Sequence, residues 1–178
     1  MSPRTAAERR LDTVHLVRHA HAGDAERWEG PDELRPLTGK GRGQAERLGA
    51  FLATVGIRPD RIISSPKTRA HQTAEIIGLA LGITVDIDER LSSGCDMGCL
   101  DVVLGDSGAR APMVVGHDPD FSNLLSGLLG SAPQEMRKGA FATVDVRRPL
   151  RAGTGVLRWL IPPELLPDSD TSPERPTS

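Results

Sequence analysis

The stretch "VHLVRHAHAG" places His15, His19 and His21 at alternate positions beside Arg18. On an extended chain that spacing turns three imidazoles to one face. Three readings fit it: a metal site with His15 and His21 as a zinc pair, a nucleophilic imidazole, or plain strand residues. Arg69 and His117, further along the chain, widen the chemistry. Two guanidinium forks match the oxygens of a phosphoryl group in a bidentate way that lysine cannot reproduce, which singles out Arg18 and Arg69. A neutral imidazole can attack phosphorus through one ring nitrogen when the other gives its proton to a fixed acceptor, a role that suits His19. His117 would then donate to the same oxygens, since phosphoryl transfer is catalysed chiefly by positioning and by charge around those oxygens.

Such residues act together only if the chain gathers them. "TVHLV" is short, β-branched and apolar and predicts a buried strand with Arg18 and His19 at its C-terminal end. Thr38 in "LTGKG" can cap a helix whose apolar positions Ala45, Leu48, Leu52 and Val55 recur until Gly56. "RIIS" predicts a second strand, followed by a helix with Ala70, Ala74, Ile77 and Leu81 on one face and Gly82 as its stop. "ITVDI" is a third strand, "LDVVLGD" a short helix, and "APMVV" a fourth strand that runs into a helix closed by Gly130. The alternation predicts a mainly parallel α/β sheet with helices on both faces, where ligands bind beyond the carboxyl ends of the strands. Arg18, His19, Arg69 and His117 all fall at such ends. "FATVDV" and "GVLRWL" add a hairpin at one edge.

With 178 residues and 24 acidic against 22 basic side chains, the chain reads as one balanced domain with no general affinity for nucleic acid or membrane. No signal-peptide or membrane-spanning run stands out, so the expectation is a soluble, cytoplasmic protein. The two cysteines, Cys95 and Cys99 in "GCDMGC", lack metal-knuckle spacing and read as small loop or helix-start residues. The expected organisation is a flexible N-terminus over 1–11, one domain over 12–161, and a disordered Pro/Ser-rich tail over 162–178.

"LVRHA", "SSPKTRAHQTA" and "VGHDP" resemble the signature segments of the histidine phosphatase superfamily, whose first motif is usually Arg-His-Gly. The likeness runs from about Val14 to about Leu129 and takes in "RPLTGKG". It implies a three-layer α/β/α sandwich of the phosphoglycerate mutase-like kind. It also implies a phosphatase that needs no metal or other cofactor. Carried over residue by residue, Arg18 and Arg69 bind phosphate, His19 is transiently phosphorylated, and His117 is the second pocket histidine. Ala20 stands where the glycine is usual, which asks whether the backbone there needs a positive φ. Arg35 in "LRPLTGKG" is a further candidate for the anion pocket, or else a solvated loop charge.

Ester-cleaving members carry an acid glutamate in an "RLxE"-like run; here the run is "RLSS", with Ser93 at that place. Glu89 is nearby but out of register. Asp118 is the rival acid, yet "HDPDF" reads better as a helix N-cap followed by proline at N1, where a carboxylate is favoured as the anion. Without a strong acid an alkoxide departs badly, whereas the imidazole of a phosphohistidine leaves from a weaker P–N bond. The short stretch between Arg69 and His117 leaves little room for a cap domain. Both features resemble the short, SixA-type phosphohistidine phosphatase branch and imply protein phosphohistidine as the substrate. The alternatives are a phosphatase acting on a small phosphorylated metabolite, with Asp118 or Glu89 as acid, and a non-catalytic phosphate-binding module.

Overall fold

Strand β1, Asp12–Arg18, lies near the centre of a sheet whose six strands run in the order β3-β2-β4-β1-β5-β6. The structure, a computed structural model, describes residues 11–167. β2 (Ile62–Ser64), β3 (Val85–Ile87) and β4 (Met113–Gly116) join β1 in a parallel block. β5 (Phe141–Val146) runs antiparallel to β1, and β6 (Val156–Ile161) antiparallel to β5, so the hairpin expected from the sequence forms the edge.

Alternation along β1 separates two cores. Val14 and Leu16 face a cluster built with α3 (Met97–Ser107) and α4 (Asp120–Leu129). Val17 faces one built with α1 (Gly39–Val55) and α2 (Thr68–Leu81). The result is the three-layer, mainly parallel α/β sandwich that the motif order predicted. Helix periodicity is borne out at Ala45, Leu48, Leu52, Ala70, Ala74, Ile77 and Leu81, all buried, while Val55 at the end of α1 is exposed. Thr38 caps α1, its Oγ1 accepting from the Gly41 N–H at 3.2 Å. Gly56, Gly82 and Gly130 end their helices in the left-handed conformation that glycine adopts without steric cost.

Two expectations need correction. Within the tail expected over 162–178, Pro163–Leu165 form a 3-10 turn and Leu166 packs into the α1/α2 core; an apolar side chain within a proline-rich run is enough to dock it. The remainder, 168–178, and the N-terminal residues 1–10 lie outside the described residues. Cys95 and Cys99 are not separate helix-start residues but are joined as a disulfide across the first turn of α3. Asp96 between them caps that helix, accepting from the Cys99 N–H at 2.9 Å. Among the described residues no helix is long and apolar enough to cross a membrane.

Candidate active site

Strand register sets the centre of the site. Arg18 pairs with Gly116 across β1 and β4, so the next residues, His19 and His117, emerge side by side past the carboxyl ends of both strands. Their ring centroids are 5.1 Å apart with planes tilted by 53°. Gly116 is needed there, because a Cβ at that position would strike the Phe121 ring of α4. β2 lies on the other side of β4, and the Ser65 N–H just beyond it donates to the Val115 carbonyl at 3.0 Å. Arg69 follows in the first turn of α2. The four residues singled out from the sequence are thus brought to one end of the sheet, and the charges of Arg69 and Arg18 act on both imidazoles.

The hydrogen bonds define each ring's state. His19 Nδ1 lies 2.7 Å from the Ala20 carbonyl, which can only accept, so Nδ1 carries the proton and Nε2 presents a lone pair. His117 Nε2 lies 2.8 Å from Ser65 Oγ, which accepts from the Lys67 N–H at 3.3 Å. Among the described residues the Ser65 hydroxyl proton has no other acceptor, so it goes to Nε2 and leaves His117 Nδ1 as an N–H donor. Burial pushes both rings down to about 3, assisted at His19 by His117, Arg69 and Arg18 and at His117 by Arg69 and Lys67. One uncharged ring therefore offers a lone pair while its neighbour offers a proton.

Three buried side-chain nitrogens of this group, Arg18 Nε, Arg69 Nε and His117 Nδ1, have no hydrogen-bond partner among the described residues. Buried donors are almost always satisfied, so three orphans in one cluster fit an anion that accepts from all of them. The guanidiniums are otherwise tightly held. Arg18 Nη1 donates to the Met136 carbonyl at 2.7 Å and meets Asp118 Oδ2 at 2.9 Å. Arg69 Nη1 and Nη2 donate to the Asp32 carbonyl and carboxylate at 2.7 and 2.9 Å.

Other candidates fall elsewhere. Asp118 is not the N-cap: α4 begins at Asp120, and Asp118 takes the Arg18 guanidinium together with the Ser122 N–H and hydroxyl at 3.2 and 2.9 Å. The expected cap is thus displaced and not lost: Pro119 takes the N-cap position, while the Asp118 carboxylate one residue earlier still accepts a first-turn N–H of α4. Glu89 is exposed in the 3-10 turn Glu89–Leu91 and has no hydrogen bond or ion pair to the group. Arg35 is buried beside the site, but Nε and Nη2 go to Asp32 Oδ1 at 2.9 Å and Nη1 goes to the Ala22 carbonyl at 2.8 Å. It holds the loop in place instead of reaching open space.

The three alternating histidines do not share a face, because the strand ends at Arg18. His15 points back into the fold, with Nδ1 2.9 Å from Thr143 Oγ1 and its ring stacked on Phe141 at 5.6 Å. His21 lies 2.8 Å from Thr38 Oγ1 at the start of α1. Ala20 needs no glycine, since no described non-glycine residue has a positive φ; its N–H donates to Thr73 Oγ1 at 3.1 Å.

Sequence reasoning missed Asp32, Ser65, Thr73 and Lys138. The ammonium of Lys138 is lowered by burial and then by the nearby Arg18 and Arg35, which marks it as part of the same positive field. The serine pair in "SSP" was the one available signal; a loop acid in "PDEL" carried none.

Comparison with known proteins shows the family and the fold. Residues 14–103 match the family model described as "Histidine phosphatase superfamily (branch 1)". The chain is 27% identical over 156 residues to phosphohistidine phosphatase SixA of Escherichia coli, covering 84% of this chain and 93% of that one. A segment of 89 residues is 42% identical to "Probable phosphoglycerate mutase GpmB" of Citrobacter koseri, covering 49% of this chain and 40% of that protein. Among solved structures, the protein histidine phosphatase SixA complexed with tungstate superimposes with a TM-score of 0.74 at 25% identity, over 85% of this chain and 97% of that one.

Proposed function

The chain belongs to the histidine phosphatase superfamily and is a phosphatase, and from that premise we propose that it removes phosphoryl groups from protein phosphohistidine through a phosphorylated His19. The observation that carries this reading is the trio of buried donors without partners among the described residues, Arg18 Nε, Arg69 Nε and His117 Nδ1, on three residues that all act on an imidazole with a free lone pair. His19 Nε2 attacks phosphorus; the P–Nε2 bond forms as the bond to the leaving nitrogen breaks, and that nitrogen departs with the electron pair. The three donors hold the phosphoryl oxygens, and donors of this kind contribute about 10²–10³ each to rate. As the His19 ring becomes cationic, its Nδ1–H bond to Ala20 strengthens. Water then attacks phosphorus: the new O–P bond forms as P–Nε2 breaks, the bonding pair returns to Nε2, and inorganic phosphate leaves with the water's proton passing to solvent or to a phosphate oxygen.

Three features favour phosphohistidine over an alkyl ester. Asp118 is occupied by Arg18 and Ser122, and Glu89 is not in contact with the group, so neither is set to protonate an alkoxide. Between α2 and β4 the chain forms only β3, a 3-10 turn and α3, with no further layer over the strand ends. Trp28 and Leu34 are exposed on the loop that carries Asp32, an apolar rim against which a protein substrate can press.

The test compares hydrolysis of a phosphohistidine peptide, a sugar phosphate and an activated aryl phosphate. The peptide should be preferred over the sugar phosphate, and Asp118→Asn should not alter the ranking. A strong preference for the sugar phosphate that disappears in Asp118→Asn would overturn the substrate assignment in favour of a metabolite phosphatase.

A further inference from the structure

Asp32 stands at the first residue of a 3-10 turn, Asp32–Leu34, in the loop between β1 and α1. Nothing in the reaction above requires it, yet it meets two arginines at once. Oδ2 and the backbone carbonyl take both terminal nitrogens of Arg69, while Oδ1 takes Nε and Nη2 of Arg35. Arg35 is in turn anchored to the Ala22 and Gly23 carbonyls at 2.8 and 3.3 Å. Arg69 is therefore gripped at its tip, and among the described residues the nitrogen left without a partner is Nε, at the side of the fork.

We propose that Asp32 is the positioning residue of Arg69: it clamps the fork so that the Nε edge faces the phosphoryl group, and its charge keeps bound phosphate from being held too tightly. The proposal rests on the phosphatase reading above and adds to it a residue that touches neither substrate nor reacting atoms. A free guanidinium could meet phosphate end-on or side-on, and Asp32 removes the end-on choice. The carboxylate also stands beside the pocket as a second anion. Bound phosphate must share Arg69 with it, which weakens ground-state binding and favours product release. Asp32 is unsuited to act as an acid, because burial, which raises its pKa, is outweighed by Arg35 and Arg69, which hold it below the ordinary carboxylate range.

The experiment measures kcat and the inhibition constant of inorganic phosphate for wild type, Asp32→Asn, Asp32→Ala and Asp32→Glu, with unfolding midpoints as controls. Asp32→Asn and Asp32→Ala should bind phosphate about tenfold more tightly and turn over roughly 10- to 100-fold more slowly. Asp32→Glu should return phosphate affinity toward wild type. Unchanged or weaker phosphate binding in folded Asp32→Asn and Asp32→Ala would overturn the proposal. So would a rate loss confined to poor leaving groups, which would make Asp32 an acid. Failure of the wild type to hydrolyse any phosphorylated substrate would count against the phosphatase reading instead, and phosphate affinity would still test the clamp.

Discussion

His19 and His117 emerge from adjacent parallel strands one residue past a shared register pair, with ring centroids 5.1 Å apart and opposite hydrogen-bonding duties. The Ala20 carbonyl fixes His19 as the lone-pair ring, and Ser65 fixes His117 as the donor ring. The pairing works because both rings are neutral: burial pushes each down to about 3, so neither repels its neighbour near pH 7.

Removal of the donor ring alone should slow turnover without preventing attack. His117→Ala is expected to lose about 10²–10³ in kcat, as measured by steady-state release of phosphate. Ser65→Ala should lose less, because it frees the tautomer of His117 but leaves the ring in place.

Asp118 and Arg18 act as one unit through their 2.9 Å ion pair, which is largely shielded from solvent. Asp118→Asn should therefore reduce kcat/KM by a similar factor for aryl, alkyl and phosphohistidine substrates, since it loosens Arg18 and supplies no proton. Arg18→Lys should cost more, about 10² or above, because an ammonium cannot meet Met136, Asp118 and an anion in one plane. Rates for a series of leaving groups check both outcomes.

The buried histidines make the fold acid-sensitive. Burial pushes His15 from 6.5 down to about 4, with Asp60 and Asp145 opposing the shift. Below pH 6.5 the unfolded chain takes up a proton that the folded His15 refuses, so stability falls as pH drops from 6.5 toward 4. The shift corresponds to about 3 kcal/mol at most for this ring. Urea unfolding at a series of pH values should show that decline, and a shallower one in His15→Asn, whose amide can still pair with Thr143.

Much of this arrangement was legible along the chain. The strand ends carrying Arg18, His19 and His117 were readable because apolar runs of strand length stop at them, and α1 and α2 because Ala45, Leu48, Leu52, Ala70, Ala74 and Ile77 keep helical spacing. Asp32 was not readable: its partner Arg69 is 37 positions away, and a loop acid gains meaning only when the fold brings a guanidinium to it. Ser65 is 52 positions from His117 and was hidden for the same reason. Asp118 was half legible: its bond to a first-turn N–H of α4 follows local rules for a helix start, but those rules do not see Arg18, which approaches from a neighbouring strand. Arg35 stayed open between an anion ligand and a solvated loop charge, because the Ala22 and Gly23 carbonyls that hold it are distant in sequence.

The central claim is that His19 takes the phosphoryl group, and trapping the intermediate tests it most directly. Enzyme mixed with a labelled phosphoryl donor in the presence of a chelator is quenched within its first turnovers in alkaline denaturant, which preserves P–N bonds, and the labelled peptide is mapped. Wild type should carry the label on the peptide containing His19, and His19→Ala should carry none while still binding inorganic phosphate. Label retained by His19→Ala, or undiminished turnover in that variant, would contradict the account.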